Sequence, residues 1–468
     1  MMRRSPLVFA SLALAMSLLL VACGSTGEPG DPNGEPGVNQ NNGDPDPDPD
    51  PDPDPEVKPP GEEVASTASR ALEPDVADEA FADFTADNRD FAFSLLSELR
   101  SEAQDENAFI SPHSISIALA MTYAGAVNQT RDEMQDVLRF YTEGEDLHAA
   151  FNKLDLQLGS RSEVELEEDQ SLDLDVVNQT WGHFDFDFVD DYLDLLALHY
   201  GASQLLVDFV NDYDEVRQGI NEWVEAKTEG RIEDLLPDNS LDDETRFVLV
   251  NAIYFYGTWA NPFPEEQTYD ADFTRLDDST VEVAIMSEDR SIDAYYDTEA
   301  DTVAVSIPYS GEEISMIAWM PYDEEEDFLQ WENDFSRQDF DEIVEGLTNQ
   351  RVMLGFPRFE EEADFELKDI FEEMGMVDAF DRCDAEFEGI TGHGPCIDFK
   401  SLYIDDIFHQ TFISVDEVGT EAAGATGVVM ATPTSAPPSI RFDRPFYYAI
   451  YDHPTDSILF MGRMVDPS

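Results

Sequence analysis

From residue 246 to 256 the chain is almost continuously apolar: Phe247, Val248, Leu249, Val250, Ala252, Ile253, Tyr254 and Phe255 are interrupted by Asn251 alone. Without polar alternation such a run reads as a strand buried on both faces. Any fold that holds it needs a sheet covered on each side. Helical spacing dominates the chain before it. Phe91, Leu95, Leu96 and Leu99 share one face of a first helix, and Ser111 and Pro112 mark the start of a second, over 117–125. Residues 130–140 read as a helix followed by a polar loop, 172–181 as a strand, 192–200 as a helix, and 221–230 as a helix ended by Gly230. Strand signals dominate afterwards, at 281–286, 302–308, 314–320, 351–356 and through 440–462, with one helix over 365–374 that Gly375 closes. Helices early and strands late give an α+β fold with antiparallel or mixed sheets, not a doubly wound α/β fold.

Charge narrows the function. The 468 residues carry 104 acidic against 25 basic side chains, a formal net charge of −79, and of the basic residues five are lysines and twenty arginines. No nucleic-acid partner is expected, because binding a phosphate backbone needs a basic footprint. An acidic, lysine-poor surface fits a protein kept soluble at high salt, with a solubilised extracellular surface as the alternative.

The first residues read as an export signal. Arg3 and Arg4 precede an apolar segment over 7–21, which ends at Leu20, Val21, Ala22 and Cys23. That tetrapeptide resembles a bacterial lipobox. The resemblance implies lipidation of Cys23 and attachment to a membrane, and Gly24, where Asp would mark inner-membrane retention, favours the outer membrane. Residues 24–64 are rich in Gly, Pro, Asn and acids, with alternating Asp and Pro from Asp44 to Pro55. Fixed φ angles and like charges make an extended spacer of such a run. The expected organisation is a lipoprotein signal peptide over 1–22, a disordered spacer over 23–81 and a folded domain over 82–468.

Residues 417–438 are of another kind. Between Thr420 and Thr432 there is no proline, no Lys or Arg, and one charge, Glu421. Small uncharged residues do not bury themselves, so the segment should be exposed. At period two, Thr420, Ala422, Gly424, Thr426, Val428, Met430 and Thr432 share a face from which Glu421 is absent. Taken alone, a flexible linker is the plainer account; in company, the segment has another meaning.

Seven motifs in order resemble the serpins, the loop-inserting protease inhibitors. Asn107, Ser111, Pro112 and Ser114 fall on Asn-x-x-x-Ser-Pro-x-Ser; Asn221, Trp223, Val224, Thr228, Gly230 and Ile232 fall on a helix signature. Val250 to Thr258, with Trp259, Pro262 and Phe263, is similar to the most recognisable strand of the family. Pro357-Arg358-Phe359, the segment from Gly375 to Phe380, Glu417-x-Gly419-Thr420-Glu421-Ala422-Ala423, and Arg444-Pro445-Phe446 through Gly462-Arg463 complete the likeness. It implies three β-sheets, eight to nine helices and an exposed reactive-centre loop. A protease cleaves that loop, is held as an acyl-enzyme, and is dragged as the loop inserts into the main sheet.

Carried over by position, the hinge comprises Glu417, Gly419, Thr420, Glu421, Ala422, Ala423, Gly424, Ala425 and Thr426. Small residues on its inserting face resemble inhibitory members of the family. Ser111, Ser114, Asn251 and His409 match the cluster where the sheet opens, and Trp259 the aromatic where insertion begins. Taken without the family, His409 and Trp259 read as ordinary core residues. Counting forward from Glu417 places the scissile bond at Pro433; counting back from Pro445 and Phe446 places it at Thr434-Ser435. Cleavage after proline is poor, so Thr434-Ser435 is the expected bond, with Met430 or Thr432 as secondary sites. The absence of Lys and Arg from 417–438 argues against a trypsin-like target and for elastase- or subtilisin-like ones.

Cys383 and Cys396 fit a disulfide, worth ~3 kcal/mol by loop closure, with free structural cysteines as the alternative. No nucleophile elbow, zinc-peptidase motif or phosphate loop is present, so neither an enzyme nor a metal or cofactor is expected. The expected protein is a monomeric, outer-membrane or cell-surface lipoprotein that traps a serine protease covalently. The alternatives are a non-inhibitory serpin serving as a binding or structural surface protein, and cross-class inhibition of cysteine proteases.

Overall fold

The computed structural model describes residues 57–468 apart from 65, 103–105, 143, 163, 165, 167–169, 324–325, 398–400 and 421–436, and leaves out the side chains of 175–178, 251–252 and 254. Cys23, the hinge from Glu421 to Thr426, and Pro433, Thr434 and Ser435 therefore lie outside the described residues.

Seven strands form one sheet. Their spatial order is β1 (Glu62–Val64), β4 (Gln204–Val207), β3 (Leu172–His183), β5 (Phe247–Thr258), β13 (Gly419–Thr420), β12 (Phe408–Val415) and β11 (Phe359–Glu366). Nine further strands make one ladder: β2 (Ala108–Ile110), β6 (Tyr269–Thr274), β7 (Thr280–Asp297), β8 (Thr302–Pro308), β9 (Ile314–Pro321), β10 (Thr348–Pro357), β14 (Ser439–Arg441), β15 (Phe446–Asp452) and β16 (Ser457–Met464). The 18-residue β7 serves two sheets, pairing first with β6 and β10 and, at its end, with β8. Three sheets result, with mixed pairing as expected, since β3–β4 and β10–β14 are parallel.

Ten α-helices stand among the described residues: α1 (Asp78–Glu102), α2 (Pro112–Tyr123), α3 (Asn128–Leu138), α4 (Glu145–Gly159), α5 (Asp190–Leu195), α6 (Phe209–Lys227), α7 (Phe328–Asp334), α8 (Arg337–Gly346), α9 (Lys368–Met374) and α10 (Glu388–Thr391). The count passes the expected eight to nine by including single turns such as α10.

The apolar run 247–255 is indeed a strand covered on both faces. Ile253 and Phe255 of β5 enter the main core between the sheets. Val248 and Val250, on the opposite face, pack in a second core under α6. There Val216, Ile220, Trp223 and Val224 recur at helical spacing and form the buried stripe of that helix. Asp208 caps α6 by accepting from the Asn211 amide at 3.1 Å.

Several boundaries differ from the sequence reading. The helix read from residue 221 already starts at Phe209, and the polar loop after α3 contains α4, which opens with Glu145 and Asp146 on the favourable end of the helix dipole. Phe365 and Glu366 finish strand β11 instead of starting a helix, because both pair with β12; the helix begins at Lys368 and ends at Gly375, whose φ is +112°. Residues 57–81, composed like a spacer, lie against the domain. The β1 strand pairs with β4, the Trp181 indole donates to the Pro60 carbonyl at 2.9 Å, and the Ala71 amide donates to Leu198 at 2.9 Å. Backbone ladders hold this segment, so its poverty in apolar residues hid its order.

Among the described residues, one buried carboxylate has no basic partner beside it in the core: its close polar contact is a tyrosine. Glu361 of β11 is buried, and its Oε2 accepts from the Tyr448 hydroxyl at 3.1 Å. Burial pushes the carboxyl up to about 8, and the Tyr448 bond only partly opposes that. In the unfolded chain the group titrates near 4.5. Between those values the folded state holds the extra proton, so the stabilisation from this one group is fully present below about pH 4.5 and is lost as pH rises toward 8, by up to about 1.4 kcal/mol per unit. Glu361→Gln removes this dependence. Its thermal midpoint should exceed the parent's at pH 8 and approach it at pH 5; parallel midpoints across that range would show that Glu361 does not titrate so.

Candidate functional site: the hinge and the opening in the sheet

The β5 strand is bonded along one edge to β3, from Leu172 opposite Gly257 to Gly182 opposite Phe247. The β12 strand is bonded along one edge to β11, from Phe359 opposite Val415 to Glu366 opposite Phe408. Their other edges face each other. Among the described residues these edges meet only β13, where Gly419 and Thr420 pair with Thr258 and Gly257 on one side and Thr420 pairs with Val415 on the other. A two-residue wedge thus sits at the top of a gap between two strands.

The wedge is built to fit tightly. A Cβ on Gly419 would lie 2.1 Å from the Gly257 carbonyl oxygen and 2.6 Å from Thr258 Cα, so glycine is required here by space. Thr420 is 1% exposed, and its hydroxyl bonds the Tyr309 hydroxyl at 2.7 Å. Tyr309 stacks on Trp259 with centroids 4.5 Å apart and meets Phe255 edge-on at 4.8 Å. The Trp259 indole donates to the Asp416 carbonyl at 2.9 Å, and its amide donates to Val418 at 2.7 Å.

The turn before the wedge is equally fixed. The Asp416 carboxylate accepts from the amides of Val418 and Gly419 at 2.8 and 3.1 Å. Glu417, buried, pairs with Arg358 and accepts from the Thr268 hydroxyl, while its carbonyl accepts from the Phe263 amide at 2.8 Å. A buried carboxylate needs such partners.

Below the wedge the two strands part over a narrow cleft of about 70 Å³, whose lining includes Ser114, Ile115, Phe247, Leu249, Phe408 and His409. His409 Nε2 accepts from the Ser111 amide at 3.0 Å, so the ring proton belongs on Nδ1. Complete burial pushes the ring's pKa down to about 3, which keeps it neutral. The Ser111 hydroxyl donates to the Leu459 carbonyl at 2.7 Å and accepts from the Ser114 amide at 3.2 Å, capping α2. Thr411, two residues along β12, donates to the Phe109 carbonyl at 2.7 Å. His409 and Thr411 therefore pin β12 to β2 and α2 from below.

The structure brings Ser111, Ser114 and His409 together, and sets Trp259 apart from them with Glu417, Gly419 and Thr420. The backbone of Asn251 pairs with Asn178 of β3. Cys383 and Cys396 are joined by a disulfide. Sequence reasoning missed Tyr309, Arg358 as the partner of Glu417, and Thr268. Tyr309 simply follows Pro308 at a strand end, and nothing local marks its hydroxyl.

Strand addition is what this arrangement can perform: facing rows of backbone donors and acceptors, and a small-residue wedge between them.

Comparison with known proteins agrees with that geometry. Residues 86–467 match the family model described as serpin (serine protease inhibitor). Antithrombin-III of Homo sapiens is similar at 33% identity over 387 residues, covering 81% of each chain. The crystal structure of the thermophilic serpin tengpin in the native state superposes with a TM-score of 0.73 at 28% identity, covering 86% of this chain and 97% of that one. Thyroxine-binding globulin in complex with thyroxine gives 0.70 at 27% identity, over 82% of this chain and 99% of the other. With its three sheets, the wedge at Gly419 and Thr420 and a family match across nearly the whole domain, this chain belongs to the serpin family.

Proposed function

We propose that the protein is a surface-tethered suicide inhibitor of serine proteases. The observation that carries this reading is the wedge of Gly419 and Thr420 between edges of β5 and β12 that have no pairing with each other among the described residues. Glu421 follows β13 in the sequence. A strand laid between those edges would run antiparallel to both neighbours, as β13 does. Over six or seven residues it would add on the order of ten backbone hydrogen bonds at about 1 kcal/mol each.

The steps follow from that gain. The protease serine attacks the Thr434 carbonyl, forms an acyl ester, and releases the Ser435 amine with a proton. Cleavage frees the loop, which enters the gap behind Thr420 and carries the esterified protease with it. Deacylation fails once the displaced protease active site is distorted. The Thr434-Ser435 bond, the lack of Lys and Arg in 417–438, and Met430 and Thr432 nearby favour elastase- or subtilisin-like targets. Export and lipidation at Cys23 would hold the inhibitor on the outer surface of the cell, and the Asp-Pro spacer would set it away from the membrane.

Three outcomes are expected. Mixing with pancreatic elastase or subtilisin gives a covalent complex that survives denaturing gels; complete cleavage with full protease activity left sinks the reading. Loop cleavage by a protease that is not trapped raises the thermal midpoint by more than about 10 °C, through the added strand; an unchanged midpoint instead supports a non-inhibitory binding or structural role. Thr420→Arg places a charge where threonine is buried against Tyr309, at a cost of roughly several kcal/mol if unpaired. This variant should be cleaved as a substrate with little complex formed, and undiminished complex formation would remove Thr420 from the mechanism.

A further inference from the structure

Tyr269 of β6 and Met353 of β10 are large apolar side chains left 45% and 37% exposed, and both lie close to β14, the strand that follows residues 417–438. In the parallel pairing of β10 with β14, Met353 is opposite Ser439 and Gly355 opposite Arg441. The Met353 amide also donates to the Pro438 carbonyl at 2.9 Å, which pins the chain to β10 just before β14. Residues paired in this register share a face. On it, the space that a Cβ of Gly355 would need is taken by the stem of Arg441 and by Ile285, each 3.2 Å away. Crossing there, the Arg441 guanidinium comes to 5.9 Å from the centroid of the Tyr269 ring. Leu354 and Ile440, on the opposite face, are buried in the core.

This face differs in composition from a chain with 104 acidic and 25 basic residues. Asp289, opposite Met353 on β7, is held by the exposed Arg351 through two hydrogen bonds of 2.7 and 2.6 Å. Asp443 pairs with Arg441 at 3.2 Å. Tyrosine, methionine and arginine are the residues enriched where two proteins meet, and glutamate and lysine are depleted there. Position then selects the partner. A protease at Thr434-Ser435 works five residues before Ser439, a span of at most about 18 Å. Even a small domain is about 30 Å across, so this face is within reach of the body of that protease. We propose that the face formed by Tyr269, Arg351, Met353 and Arg441 docks the protease, on the side that receives the residues after the scissile bond. This inference rests on the loop being a protease target, and adds a contact outside the loop.

Subtilisin and pancreatic elastase whose active-site serine is replaced by alanine can bind but neither cleave nor acylate. Titration calorimetry of the whole protein with these two therefore reads docking apart from trapping. At least one should bind saturably, one to one, and the double variant Tyr269→Ala/Met353→Ala should weaken it at least tenfold. Met353→Glu alone should also weaken it, whereas Leu329→Ala, at a comparably exposed apolar position on α7, should not. Equal affinity in the double variant and the parent, an equal loss in Leu329→Ala, or no saturable binding of either inactive protease overturns the proposal. The active proteases separate this inference from the inhibitor reading. Tenfold weaker docking in the double variant, with no covalent complex even in the parent, would refute the inhibitor and support the docking face. Covalent complex formed as fast by the double variant as by the parent would refute the docking face and support the inhibitor.

Discussion

Backbone amides and carbonyls on the facing edges of β5 and β12 need partners, and the structure around them is arranged so that the described chain supplies two residues and no more. Gly419 can approach the backbone of β5 because it has no side chain. Trp259 and Tyr309 build the shelf on which Thr420 rests. On the floor, His409 and Thr411 hold β12 through neutral hydrogen bonds. A strained backbone is nowhere needed to explain the site. A strand added beside β5 and β12 would gain hydrogen bonds not yet made, which is a different reservoir from bond or torsion strain.

Charge is distributed unevenly between surface and interior. With 104 acidic residues and 25 basic ones, most carboxylates cannot find a cation, and the interior takes a share of the cations available. Arg463 meets Glu332 in a two-point pair at 2.8 and 3.0 Å, both groups nearly inaccessible, with the Tyr447 hydroxyl on the same carboxylate. Arg161 holds Asp452 at 2.7 and 3.2 Å, and Arg358 holds Glu417 in the turn before the hinge. All of these are arginines, whose planar fork suits bidentate contacts to a buried carboxylate. Losing one partner of such a pair is costly even where the pair itself adds little. Salt therefore screens the surface of this protein more than its interior.

Much of this was legible in the sequence. The almost continuous apolar run of β5, broken by Asn251 alone, announced a two-sided strand, and Ser111 before Pro112 announced the start of α2, because both signals are local. Gly419 and Thr420 could be placed because seven motifs fixed their order. The rest depended on partners far away in the chain. Glu361 is an acid in a strand that alternates buried and exposed, and its pairing with Tyr448 is visible only once β11 and β15 are stacked. Arg358 reads as one member of a Pro-Arg-Phe motif, yet its meaning lies in Glu417. The segment 57–81 was misread because composition measures burial, whereas β1 is held by a ladder to β4. Tyr309 had no signal at all.

The two outer strands of the same sheet deserve comparison with its gap. At one rim β1 offers three residues, two of them the exposed Glu62 and Glu63. At the other, β11 turns Glu360, Glu362, Asp364 and Glu366 outward on one face. A copy of this sheet that approached either rim would bring a row of carboxylates against its own, a poor template for joining sheets between molecules. The strands that flank the gap beside β13 carry no such row, since β5 and β12 have no charged residue, although Asp405 and Asp406 stand at the end of the cleft. Two acidic rims disfavour edge-to-edge joining of sheets, and the unpaired edges beside β13 are the place where this sheet could take a further strand.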